Sequence, residues 1–328
     1  MSLGGACITL GPAFGPVISG LMCTLFGWRA VFVVPLVGGI VVAAAGVKLV
    51  QNVGERSSTT LDILSVVLLA AGITAFVHSV GEFSTNPIAG IVALFAAIVL
   101  LGLFAARQLK LEHPVLNVRP MASVRFWPAC LLVVVSMMTT FSMSVLLPLY
   151  FEGAYGMTAL IAGLLILPAI ACNAVTSIVG GRVMDARGAW PLLPVGFALI
   201  AVGQTAISMT AASMNIGVVV ALTVVVYAGV GLVLSPSQTA GLETLPAAEH
   251  PHGTALLNTW NMIAASFGPS LFIGLLSSSA ATAGAAGAAT DVAQAIGFAT
   301  AVRVAAVIAV VGFATSLVYA RRESHMSH

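Results

Sequence analysis

The sequence predicts an all-α, polytopic membrane protein. Three observations point there. Hydrophobic residues make up 59% of the 328 and charged residues only 7%, whereas a water-soluble domain carries about 25% charged residues. Apolar runs of about 20 residues, the length that crosses the hydrocarbon layer, can be laid down ten times. These runs are continuous, without the two-residue alternation of a membrane β-barrel. The connections between them are too short to hold a soluble catalytic module.

The first run, 3–26, is interrupted by Gly11-Pro12-Ala13-Phe14-Gly15-Pro16 and then Ser19-Gly20, and it closes on Gly27-Trp28-Arg29. Two prolines four residues apart would break a soluble helix, but a membrane helix tolerates them where neighbours satisfy the freed carbonyls. With glycines at 11, 15 and 20 the pattern predicts a bent helix whose small face packs closely on another. The next runs are 30–50, 61–81, 87–107, 127–151, 157–181, 189–210, 215–241, 253–277 and 294–320. The stretch Ser277–Thr290 is rich in Ser, Ala and Gly, so it reads as a flexible linker. Cys7, Cys23, Cys130 and Cys172 all fall inside apolar runs without metal-like spacing, and read as small apolar side chains.

Orientation follows from the basic residues. If ten crossings start in the cytoplasm, the inner connections and tail collect Lys48, Arg56, Arg107, Lys110, Arg119, Arg125, Arg182, Arg187, Arg321 and Arg322. The outer connections collect Arg29 alone. The positive-inside rule then places both termini in the cytoplasm of a cell membrane. No Ser/His/Asp set, paired-carboxylate spacing or phosphate-cradling glycine loop is present, so the chain reads as no enzyme, with no cofactor, no metal and no nucleic-acid partner.

Polar residues inside spans are costly there, and mark a pathway or a helix contact. Met137 and Thr140 lie in a hydroxyl- and thioether-rich stretch of span 127–151, and Asn173, Gln238, Asn258 and Asn261 lie in other spans. Polarizable methionine suits a cavity that accepts varied apolar compounds; each polar side chain could equally bond a neighbouring helix. Asp62 and Glu243 sit near inner ends, and Glu82, Glu152 and Asp291 near outer ends. His78 and Glu82 stand at i,i+4. Arg303 is the one charge deep within a span, and needs a partner or a wet pocket.

The motifs resemble the fourteen-helix drug:proton antiporter branch of the major facilitator superfamily, especially multidrug and lincomycin-resistance-like exporters. Gly11-Pro12-x-x-Gly15-Pro16-x-x-Ser19-Gly20 is similar to the antiporter signature of the fifth helix, with Ser19 at a usual glycine. Gly181-Arg182-x-x-Asp185-x-Arg187-Gly188 is similar to the second copy of the inner-loop motif. Leu147-Pro148-Leu149-Tyr150-Phe151 with Gly163-Leu164-x-x-Leu167-Pro168, and His252 to Thr259, resemble the helices around it.

That resemblance implies an organisation in which the first four helices are lacking. Residues 1–50 would be a remnant of the first bundle, 51–126 two linker helices with cytoplasmic loops, and 127–328 the second six-helix bundle. It implies proton-coupled efflux of drug-like lipophilic compounds by alternating access, with protons, substrate and the lipid bilayer as partners. The alternatives are a non-transporting remnant and a narrow-specificity metabolite exporter.

Overall fold

Apolar helices running back and forth, joined by short turns, build the molecule. The computed structural model describes residue 15 and residues 18–49, 62–82, 86–111, 114–190 and 192–324. Among these residues every regular element is helical. Helix α1 covers 18–26, and a 3-10 turn over Trp28–Phe32 leads into α2 (Val33–Leu49). Next come α3 (Ile63–Glu82) and α4 (Pro87–Lys110), then α5 (Phe126–Tyr155), α6 (Ala159–Arg187) and α7 (Leu192–Thr210). The chain ends with α8 (Ile216–Glu243), α9 (His250–Ala285) and α10 (Thr290–Ser324). Nine helices among the described residues are long and apolar enough to cross a membrane. The protein is an all-α, multi-pass membrane protein.

Local chemistry sets the helix ends. Asn86, Thr158 and Asn215 cap α4, α6 and α8 by accepting from the backbone N–H three residues on, satisfying one orphan donor each. Gly156 closes α5 at a φ of 63° and Gly188 closes α6 at 75°, a left-handed setting that glycine adopts without strain. Two sequence expectations change. The stretch 277–290 is not a linker: α9 runs through Ala285, because a run rich in alanine, the best helix former, overrides its glycines. Gly181, Arg182 and Asp185 belong to the last turns of α6 rather than to a loop.

Helices α5 to α10 form one bundle. α5 touches α6, α8, α9 and α10, and Leu132, Val133, Met143, Leu146 and Leu147 along it are fully buried. α8 lies between α6 and α7. Its Gly231 meets Thr176 and the Asn173 carbonyl of α6, and its Gly229 lies against the Gly196 carbonyl of α7. Positions two residues apart on a helix are separated by about 200°, so this pair opens opposite faces of α8 to its two neighbours. Tyrosines secure α10 at both ends. Tyr150 stacks on Phe298 with centroids 4.2 Å apart and donates to the Ala211 carbonyl at 2.8 Å. Tyr319 donates to the Ala240 carbonyl at 3.0 Å.

The hairpin α3–α4 leans on this bundle through α9, where Phe76 stacks on Phe267 at 5.0 Å. At its arginine-bearing end Arg107 grips Asp62 with two hydrogen bonds, Nε to Oδ2 at 2.8 Å and Nη2 to Oδ1 at 3.1 Å. Ser65 donates to the same carboxylate at 2.6 Å, Gln108 donates to Ser65 at 2.6 Å, and the Leu116 N–H donates to Gln108 at 3.0 Å. That chain holds Leu116 in an apolar cluster with Phe104, Phe126, Cys130 and Leu256. So the connection after α4 is wedged into the bundle. By contrast, residues 33–44 of α2 are all exposed.

The Arg107 guanidinium, and after it the Ser65 hydroxyl, hold the Asp62 carboxyl down at about 2 from an ordinary 3.8. A carboxyl with a lower pKa when folded stabilises the fold fully above its unfolded value and loses that contribution as pH falls from about 4 toward 2. Thermal unfolding of detergent-solubilised protein between pH 5 and 2 checks this: the gap between wild type and Asp62→Asn should close as the pH drops. Tyr150→Phe removes the hydroxyl bond to the Ala211 carbonyl, which keeps the Met214 N–H as a donor, and should cost about 0.5–1.5 kcal/mol, read as a lowered melting temperature at neutral pH.

Candidate functional site

The most informative region lies where α1 meets α5 and α6, at the end of α6 opposite Arg182 and Arg187. Among the signature glycines, Gly20 is seated on the first turn of α6: a Cβ there would stand 2.7 Å from the Ala159 carbonyl oxygen and 3.0 Å from the Leu160 Cα. Only a residue without a side chain allows this approach. Thr24 returns its hydroxyl to the Gly20 carbonyl at 2.7 Å, so it makes no claim on α6. Gly27, at a φ of 81°, ends the helix, and the Arg29 guanidinium lies 5.2 Å from the Trp28 ring. Gly15 is helical; Gly11, Pro12 and Pro16 lie outside the described residues.

Above that seat is a cleft of about 450 Å³ between the three helices. Ser19 lines it from α1, and Gly15 lines it from before that helix. Phe141, Ser144, Pro148 and Glu152 line it from α5. Its volume falls in the range of small-molecule sites. Pro148 lies inside α5 and has no N–H, so the Ser144 carbonyl four residues back loses its helical donor. α6, α8 and α9 also carry interior prolines, Pro168, Pro236 and Pro269.

The exposed faces of α6 and α9 differ in chemistry. On α6 the stripe is Ile161, Leu164, Pro168, Ala171, Val175 and Ile178, ending in exposed Arg182 and Asp185. On α9 the stripe is Thr254, Asn258, Met262 and Ser266, at four-residue spacing. Hydroxyls and an amide along a membrane helix are disfavoured against lipid, so this face suits water, substrate or another helix.

The residues singled out from the sequence lie at more than one depth. Thr140 and Asn173 flank α8 near its middle: the Thr140 carbonyl accepts from Tyr227 at 3.5 Å, and the Asn173 backbone abuts Gly231. Gln238 is half-buried five residues before the end of α8. Asn258 is exposed, while Asn261 is buried with its Oδ1 unpartnered. Met137 is buried in the main core. Arg182 and Asp185 are exposed, and no ion pair joins them among the described side chains; Arg187 is the last residue of α6 and Gly188 its cap. Arg303 is exposed on α10, in line with Ile296, Val307 and Val310. His78 and Glu82 come within 4.0 Å, as their spacing predicts.

Sequence reasoning missed Gln204. It is fully buried on α7, and both its amide nitrogen and oxygen lack partners. Its signal was available, an amide amid an apolar run. Ser142 on α5 and Ser237 on α8 are likewise buried and unpartnered.

Comparison with known proteins gives a consistent picture. The family model described as Major Facilitator Superfamily matches residues 1–269. The MFS-type transporter YcnB of Bacillus subtilis, itself uncharacterized, is 32% identical over 321 residues, covering 96% of this chain and 67% of its own length. The lincomycin resistance protein LmrB of Listeria monocytogenes is 31% identical over 280 residues, covering 84% of this chain and 59% of its own. The riboflavin transporter RibZ of Clostridioides difficile is 23% identical over 270 residues, covering 82% and 58%. The chain thus spans about three-fifths of the length of its lincomycin-resistance relative.

The seat of α1 on α6 can be tested by size. Gly20→Val drives a side chain into the α6 backbone, and overpacking of this kind costs about 1–3 kcal/mol. The solubilised protein should melt several degrees lower. Gly39→Val, where a Cβ meets nothing within 4 Å, should leave melting unchanged.

Proposed function

The chain belongs to the major facilitator superfamily, and on that premise we propose that it serves proton-coupled export of small lipophilic compounds from the cytoplasm. The reading places it in the cell membrane, with both termini and the arginine-bearing connections on the cytoplasmic side. One observation carries it: helix α1 rests directly on the backbone of α6 through Gly20. A contact made backbone to backbone, with few interlocking side chains, is suited to close and part as one bundle rocks against the other. The cleft of about 450 Å³ beside that contact supplies space for a drug-sized molecule.

The remaining site residues take roles around this contact. Arg182 and Asp185, exposed at the inner end of α6, are placed to bond helix ends of the opposing bundle in one state and release them in another. The polar stripe Asn258, Met262 and Ser266 on α9, with Thr140 and Asn173 deeper in the bundle, would line the substrate path. Adaptable methionine and hydroxyl contacts fit varied apolar cargo. The lincomycin-resistance relative favours drugs as that cargo, and the riboflavin-transporter relative favours a single metabolite as the narrower reading.

A susceptibility panel on cells with and without the full-length gene separates these readings. Drug export predicts at least a four-fold rise in inhibitory concentration for one or more lipophilic antibiotics, abolished by a protonophore. No change for any compound class would overturn it. Export of one metabolite without any resistance would select the narrower reading.

A further inference from the structure

We infer that Arg303 binds the phosphate of an anionic phospholipid on the lipid-facing side of α10. The chain crosses the membrane many times, and α10 packs against α5, α7 and α9. Arg303 is turned away from those three helices, exposed in one line with Ile296, Val307 and Val310. A guanidinium among aliphatic side chains within a span carries a charge that lipid tails cannot solvate, so it demands an anion. Among the described residues it forms no ion pair. The acids on α10 and on α5, α7 and α9 are Glu152, Asp291 and Glu323. Asp291 and Glu323 stand twelve and twenty residues from Arg303 along α10, about 18 and 30 Å. Glu152 adjoins Gly153, which abuts Gln294, and Gln294 is about 14 Å along the helix from Arg303. None of the three can neutralise it.

Depth and direction select a lipid headgroup. Phe298 stacks on Tyr150, whose hydroxyl reaches the Ala211 carbonyl just past the end of α7. Phe298 is therefore level with the end of the α7 span, and Arg303 lies about 8 Å farther in. Helical side chains lean toward the N-terminus of their own helix, and for α10 that is the nearer membrane surface, at Thr290. Arginine can bury its stem along the apolar line and lift its guanidinium to the phosphates of that leaflet. Its planar fork matches two phosphate oxygens. Thr300, one turn nearer that surface, already donates to the Ile296 carbonyl at 2.9 Å, which leaves the arginine as donor to the anion. A second copy of the chain fits this face poorly, because a two-fold contact centred on it would set Arg303 against its own counterpart. Naming the leaflet as the outer one rests on the orientation proposed above; the binding does not.

Lipid titration of the purified, delipidated full-length protein in neutral detergent, followed by native mass spectrometry, provides the test. Phosphatidylglycerol should bind wild type and lose about ten-fold or more in affinity in Arg303→Leu. Arg303→Lys, which keeps the charge without the fork, should lose only several-fold. Diacylglycerol, with the same tails and no phosphate, should bind wild type and Arg303→Leu weakly and alike. An excess of inorganic phosphate should not displace the lipid. Unchanged phosphatidylglycerol affinity in Arg303→Leu would overturn the assignment. So would equal losses for both lipids, because the arginine would then shape the surface without holding a headgroup. Displacement by inorganic phosphate would overturn it in favour of a site for free anions. A wild-type dimer that Arg303→Leu dissolves, with lipid affinity unchanged, would give the face to a second copy instead.

Discussion

Helix α8 must come within backbone reach of two neighbours at once, and the rest of the bundle is arranged around that requirement. Lipid supplies no hydrophobic drive between helices, so close contact has to provide the attraction. Gly231 and Gly229, two residues apart, remove side chains on opposite sides and admit α6 and α7 together. With α8 fixed, α5 fills the space behind it with large buried side chains, and α10 closes the far side through α7 and α5. A side chain at either glycine would separate a pair of helices, and every contact built on that pair would shift with it.

The same small-residue logic operates at Gly20, with a different result. There one helix meets one neighbour near its end, and a cleft opens beside the contact. Where α8 is enclosed, α1 is attached along a short line. The candidate site therefore lies beside a short contact of the described residues, away from the enclosed α8. The hairpin α3–α4 is the opposite case. The Asp62–Arg107 pair, Gln108 and Leu116 join it and its following connection to the arginine-bearing end of the bundle, so its mechanical association is with α5 and α9.

Much of this was legible in the residues. The apolar runs placed the helices, because a membrane span leaves no alternative for its backbone polar groups. The signature around Gly20 foretold a close helix contact, and the i,i+4 spacing of His78 and Glu82 foretold their approach. What the sequence hid depends on distance along the chain or on competing propensities. Asp62 and Arg107 are 45 residues apart and look like two unrelated end charges. Glu152 looks like one more residue at a helix terminus until α1 is placed beside it. The stretch after Ser277 carries the glycines and serines of a linker, but its alanines prevail and keep it helical through Ala285. Gln204 escaped notice in a long apolar run, although an amide there is the residue with most need of an explanation.

The interior prolines divide the bundle into two kinds of stave. α5, α6, α8 and α9 are each notched by a missing backbone hydrogen bond, while α7 and α10 run without a proline past their first turns. α7 and α10 lie against one another, and Tyr150 and Tyr319 fasten α10 near either end. They form a keel: flexing concentrates in the four notched helices, and the unnotched pair keeps the frame against which they bend.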